Sequence, residues 1–265
     1  MPLTKGPVVP VHWVQAGSGQ PLVLLHGLGG DVGFWESEIA ALSGEFHVIA
    51  VDLRGSGATP ASAGGHTMHD LADDVAAVLD DLEIASAHVL GFSMGGNVAQ
   101  AFALRHPERL DRLVLASTFA AMNPQARMFL DAVLDVYQQG TTAKQMFDLI
   151  CPWLFSVPFL ADPARRGYFV YPDNDPNEQP MDDWRKLYLA QQAFDVRDRL
   201  AAITAPTLVL AGQEDRLVSL CDAQALSDGI PGARLHVLPH VGHLLNVEAA
   251  GEFLAATREH LSSAP

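Results

Sequence analysis

Basic residues are scarce in this chain of 265 amino acids: 16 lysines and arginines face 31 aspartates and glutamates, a formal net charge of −15. Nucleic acid and anionic membranes both select basic surfaces, so neither is expected as a partner. The charge does not point to a substrate, because a solvated acidic surface explains it. Cysteine is scarcer still. Cys151 and Cys221 lie far apart and fit no metal-ligand spacing, so no disulfide framework and no metal site are expected. A reducing, cytoplasmic setting is the simpler inference. The opening "MPLTKGPVVPVHWV" lacks a charged region followed by a long apolar stretch, so no signal peptide is read there. No apolar run approaches the roughly 20 residues that cross a bilayer. No G-x-G-x-x-G follows a strand signal, so no nucleotide cofactor, and indeed no cofactor, is expected. What is present is 49% hydrophobic and 18% charged, the composition of a folded chain with a substantial core. The length suits one large α/β domain or two small ones.

Short apolar runs read as buried strands: "PLVLLHG" (21–27), "FHVIAVDL" (46–53), "AHVLGFS" (87–93), "LDRLVLAST" (110–118), "PTLVLAG" (206–212) and "ARLHVLPH" (233–240). Helical patterns lie between them. "MHDLADDVAAVLDDL" (68–82) sets Leu71, Val75, Val78, Leu79 and Leu82 on one face, "NVAQAFALRHP" (97–107) stops at a proline, and "NVEAAGEFLAATREHL" (246–261) reads as one last helix. Such alternation builds a mostly parallel sheet flanked by helices. The rhythm breaks between residues 119 and 196, where amphipathic stretches such as "RMFLDAVLDVYQQG" and "TAKQMFDLI" are joined by proline-rich turns, "CPWLFSVP" and "YPDNDPNEQP". A helical cap over 119–196, inserted in a core of 1–118 and 197–265, is the expected organisation.

Within "GFSMGG" (91–96), Ser93 stands in G-x-S-x-G between a strand signal and a helix signal. A sharp strand-to-helix turn presents a serine as nucleophile and needs glycine where side chains would collide. It also leaves the Met94 N–H free at a helix start, where it can stabilise an oxyanion. A serine needs a base. His243, in "LPHVGHLLNVE", follows the last strand and is preferred over its neighbour His240. His26, His47 and His88 read as structural and His106 as a helix end. Asp215, in "LVLAGQEDRLV", is the candidate acid, with Glu214 beside it as the competitor. Nucleophile, acid and base then follow in the order Ser93, Asp215, His243. The "HGLGG" loop (26–30) offers the Leu28 N–H as a second oxyanion donor, unless its glycines serve only a turn.

Together "HGLGG", "DLRGSG" (52–57), "GFSMGG", "LAGQEDRLV" and "VGHLLNVE" resemble the α/β-hydrolase superfamily over nearly the whole chain. Within it the chain is most similar to the compact bacterial esterase and lactonase branch that includes 3-oxoadipate enol-lactonases. The segment before "PLVLLHG" has room for one strand, "VVPVHWV", and a second stub, so the sheet is expected to hold seven or eight strands. The resemblance leaves Asp52 and Arg54 to the scaffold. Some relatives carry the acid after the strand "LVLAST"; here "TFAAMN" has no carboxylate, which leaves Asp215.

The resemblance implies two-step acyl transfer on a small carboxylic ester or lactone through Ser93, His243 and Asp215. Carbon–carbon bond hydrolysis of ring-cleavage products and perhydrolysis are compatible with the same residues. A non-catalytic ligand-binding receptor is the reading of another class. Haloalkane dehalogenation is disfavoured, because it wants an aspartate at position 93. Trp153 is the first choice for the substrate pocket, ahead of Phe155, Phe159, Tyr168 and Trp184, which serve equally as the cap's own core. Arg165 and Arg166 are candidates for a substrate carboxylate or for a solvated pair. A monomer or homodimer is expected.

Overall fold

The computed structural model describes residues 9–171 and 178–263. Seven strands form one sheet in the order β1-β3-β2-β4-β5-β6-β7. They are β1 (Trp13–Ala16), β2 (Gln20–Leu25), β3 (Phe46–Val51), β4 (Ala87–Phe92), β5 (Leu110–Ala116), β6 (Thr207–Gly212) and β7 (Arg234–Leu238). Only the edge strand β1 runs antiparallel, with Trp13 opposite Val51. A second stub before β1 would fall on residues 1–8, outside the described residues.

The inner strands read as apolar runs because the sheet between its edge strands β1 and β7 is covered twice. Alternate residues serve opposite faces. Val23, Ile49, Leu113 and Val209 enter one core, with the helices α2 (Met68–Asp81), α3 (Met94–Arg105) and α8 (Leu220–Gly229). Leu24, Val48, Val114 and Leu210 enter the other, with α1 (Glu36–Leu42) and α10 (Ala250–Ser262). The expected last helix is two: a single turn, α9 (Leu245–Glu248), and α10, separated at Ala249 by its non-helical φ −133°, ψ 46°. Between them, α9 and α10 place Leu245 and Phe253 in the same core.

The insertion between β5 and β6 carries α4 (Pro124–Gln138), α5 (Ala143–Leu154), α6 (Val157–Ala161) and α7 (Met181–Gln192). Asn123 caps α4, and Thr142 forms a capping box with Gln145 on α5. "CPWLFSVP" is not the expected turn. Its first four residues close α5, with Pro152 inside the helix, and Ser156 then caps α6. "YPDNDPNEQP" falls largely on residues 172–177, outside the described residues. The ends of the insertion meet in an antiparallel bridge between Ala121 and Asp195. Its own core is built on Val133, Met146, Trp184 and Tyr188, and Leu28 of the β2 loop packs against it.

Candidate active site

The loops after β2, β4, β5, β6 and β7 converge at one end of the sheet, where ligands bind in open α/β sheets. At the end of β4, Ser93 adopts φ 52°, ψ −116°. Its N–H is held by the Ala116 carbonyl at 2.9 Å and its carbonyl by the Thr118 hydroxyl at 2.7 Å. Glycine is obligatory on either side: a Cβ on Gly91 would overlap the Gly95 carbonyl, and one on Gly95 the Leu25 carbonyl. Ser93 makes no side-chain cap, unlike the residues heading α2, α4, α5 and α8. The first N–H of α3, from Met94, meets no acceptor among the described residues, and neither does the Leu28 N–H.

His243 and Asp215 come together from the loops after β7 and β6. His243 Nδ1 lies 2.7 Å from Asp215 Oδ2, with side chains 4% and 1% exposed. Asp215 Oδ1 accepts from the N–H groups of Leu217 and Val218, both at 2.9 Å. Both carboxylate oxygens are therefore engaged, and Nδ1 donates to Oδ2, so Nε2 is the nitrogen left for a reacting group. The His243 loop is pinned on three sides. Its N–H donates to Leu154 O at the end of α5, its carbonyl accepts from the Ser117 hydroxyl, and the Phe92 ring lies 5.0 Å from the imidazole. Gly242 must lack a side chain, because a Cβ would press into the backbone of Phe155 and Ser156.

His240 is outside this arrangement. Its ring is 78% exposed and lies 3.5 Å from Glu214. His26 is wholly buried and ties two loops, donating from Nδ1 to the Gly27 carbonyl and accepting at Nε2 from the Leu53 N–H; burial lowers its pKa. Asp52 is likewise a scaffold hub. It accepts from His12 at 2.6 Å and from the N–H groups of Val32 and Ala58 at 2.7 and 2.8 Å. Arg54 forms a buried pair with Asp74 and does not border the cavity that Ser93 and His243 share.

Ser93 and His243 border a cavity of about 350 Å³, together with the Gly27–Gly30 loop. Apart from Gln191, its remaining wall is apolar. Phe147, Ile150 and Leu154 come from α5, and Trp184 and Gln191 from α7. Trp153 does not line it. With α5 running to Leu154, residues 147, 150 and 154 share one helical face, and Trp153 turns about 100° away to stack on Phe129 at 4.2 Å. Phe155 and Phe159 pack on each other, and Tyr168 is exposed. No lysine or arginine is in the cavity wall among the described residues. Arg165 instead lies over the Phe159 ring and 3.6 Å from Asp162, while Arg166 is exposed. A larger hollow of about 590 Å³ between residues 63–69 and α7 includes neither Ser93 nor His243. Among the described residues no cluster suits a metal ion, and no helix is long and apolar enough to cross a membrane.

Residues 20–250 match the family model for the alpha/beta hydrolase fold. The chain is an α/β hydrolase. This α/β hydrolase is 35% identical, over 97% of its length and 98% of the relative's, to a Variovorax paradoxus (strain S110) protein named "Putative carbamate hydrolase RutD". A crystal structure of a hydrolase from Pseudomonas aeruginosa PA01 superposes with a TM-score of 0.84 at 30% identity, covering 96% and 95% of the two chains. The enol-lactonase from Burkholderia xenovorans LB400 superposes with a TM-score of 0.83 at 28% identity, covering 96% and 97%. These relatives support an enzyme of the bacterial esterase and lactonase branch.

Proposed function

We propose that this α/β hydrolase is a serine hydrolase that cleaves a small, uncharged ester or lactone through an acyl-enzyme. The observation that carries this reading is that one cavity is bordered both by Ser93, held in a strained turn, and by His243, whose Nδ1 is occupied by the buried Asp215. His243 Nε2 takes the Ser93 proton as the serine oxygen attacks the carbonyl carbon. The resulting oxyanion is received by the N–H groups of Leu28 and Met94. His243 then protonates the leaving oxygen, and Asp215 stabilises the imidazolium. Water, deprotonated by His243, releases the acyl group and restores Ser93. Each oxyanion donor is worth on the order of a hundredfold in rate. The apolar wall without lysine or arginine favours neutral substrates over carboxylate-bearing ones.

The RutD relatives favour a second reading, a carbamate as substrate, which uses the same steps. The test is hydrolysis of p-nitrophenyl esters of increasing acyl length, small lactones and a carbamate ester, by the protein and its Ser93→Ala variant. Turnover of one class should fall by on the order of 10⁴-fold or more in the variant. Equal turnover in both proteins would overturn the assignment of Ser93.

A further inference from the structure

Gln191 has a different character from the other residues bordering the cavity. It lies on α7, is 3% exposed, and is, among the described residues, the only side-chain amide in a wall otherwise made by glycines, aliphatic and aromatic residues, Ser93 and His243. A buried amide in such a wall is costly unless both its ends are used. One end is used. Gln191 Nε2 lies 3.0 Å from Asn97 Oδ1. The orientation of that pair follows from what lies behind it. Asn97 Nδ2 is 2.7 Å from the Phe119 carbonyl, which only accepts, and 3.4 Å from the Thr118 hydroxyl. The Asn97 oxygen must therefore face Gln191, and the Gln191 nitrogen must face Asn97. That leaves Gln191 Oε1 as the outward end. It accepts from no donor among the described residues, and it is not sealed off as the orphan Oε1 of the neighbouring Gln100 is.

We infer that Gln191 is a specificity-determining residue, whose Oε1 accepts a hydrogen bond from an N–H on the acyl part of the substrate. The acyl side is indicated by the anchor. Asn97 lies four residues beyond Ser93, one turn along the helix that Ser93 heads, so Gln191 is docked to the element that carries the acyl group. Gln191 and Trp184 are seven residues apart on α7 and border the cavity together, which puts the acceptor on the same helical face as an aromatic wall. A substrate that presents only carbon there leaves Oε1 dry and unpaired, and a site built around a polar partner rejects such an analogue more strongly than an apolar pocket rejects a methylene. N-acylated amino acid derivatives and other amide-bearing acyl groups meet the requirement; plain fatty acyl groups do not.

The inference rests on the serine hydrolase reading, and matched probes separate the two. The p-nitrophenyl ester of N-acetylglycine and that of 4-oxopentanoic acid differ by N–H against CH₂ at one position. The protein should favour the N–H ester by roughly tenfold in kcat/KM after correction for spontaneous hydrolysis. The ratio should collapse toward one in Gln191→Met, whatever the absolute rates. The p-nitrophenyl ester of N-acetyl-N-methylglycine, a tertiary amide that lacks the N–H, should behave like the carbon ester. A ratio near one in the unmodified protein overturns the inference while Ser93-dependent turnover leaves the hydrolase standing. Should turnover prove independent of Ser93, binding still decides. The methyl esters of the same two acids are titrated against the Ser93→Ala protein by tryptophan emission, Trp184 being in the wall. Tighter binding of the N–H ligand supports the acceptor, and equal affinity overturns it.

Discussion

Ser93 holds a backbone conformation that costs an L-residue on the order of 1–3 kcal/mol, and it persists because β4, α3 and the Ala116 and Thr118 contacts over-determine it. Ser117 is a second left-handed residue at this end of the sheet, with φ 46°, and its hydroxyl supports the His243 carbonyl. A different residue-scale strain lies on the opposite face. Glu38 of α1 is 1% exposed, and neither carboxylate oxygen has a partner at full hydrogen-bond geometry among the described residues. Burial pushes it up to about 7, opposed first by its own backbone N–H and then by the nearby Asn246 side chain. Its folded value thus exceeds the unfolded one. The protonated form contributes stability that is complete below about pH 4.5 and is lost as pH rises through about 7. Glu38→Gln should therefore raise the melting temperature at pH 8 and leave it nearly unchanged at pH 4.5, as thermal melts at the two pH values would show. An equal effect at both would mean the carboxyl does not titrate in this window.

At the scale of elements, the insertion and the His243 loop are joined by more than packing. The last carbonyl of α5, Leu154 O, receives the N–H groups of His243 and Leu244 at 3.0 and 3.2 Å. Glu248, ending α9, receives the Ser156 N–H at 2.9 Å, the Ser156 hydroxyl at 2.5 Å and the Gly242 N–H at 3.1 Å. One carboxylate thus holds the α5–α6 junction against the residue preceding His243. Glu248→Ala strands these donors, each at about 1–3 kcal/mol where no water replaces the partner. The melting temperature should drop by roughly 5 °C or more, and kcat should fall about tenfold as His243 loses its register. Glu248→Gln, which keeps an acceptor, should recover part of both. A variant with the melting temperature lowered and kcat intact would assign Glu248 to stability alone.

Across the whole molecule, these ties predict that the helical insertion and the sheet unfold together. Leu28 packs against both the sheet's core and the insertion's core, and the Ala121–Asp195 bridge closes the insertion at its base. The four tryptophans divide evenly: Trp13 and Trp35 belong to the two sheet cores, and Trp153 and Trp184 to the insertion. Urea transitions followed by far-UV circular dichroism and by tryptophan emission should superimpose. Emission from a variant retaining only the insertion's tryptophans should share that midpoint. Two separate midpoints would mean the insertion melts alone.

The sheet was readable from sequence because parallel strands covered on both faces leave continuous apolar runs; each of the six marked runs coincides with a strand to within a residue at its start, whereas "VVPVHWV" overlaps β1 only at Trp13 and Val14. The turn at Ser93 was readable for a local reason too: glycine spacing encodes a steric demand within five residues. Trp153 was misplaced because Pro152 suggested a turn, whereas α5 continues through it, and one residue on a helix changes the face by about 100°. Gln191 carried no local signal. Its amide is oriented by Asn97, and that residue in turn by the Phe119 carbonyl, over separations of 94 and 22 residues. The sequence by itself therefore determined the strand rhythm, the elbow and the order of its candidate partners, all of which depend on neighbours in the chain. Only the tertiary structure decided which side chains face the cavity and which end of a buried amide is left for a substrate, because hydrogen-bond direction is set by groups brought together from distant segments.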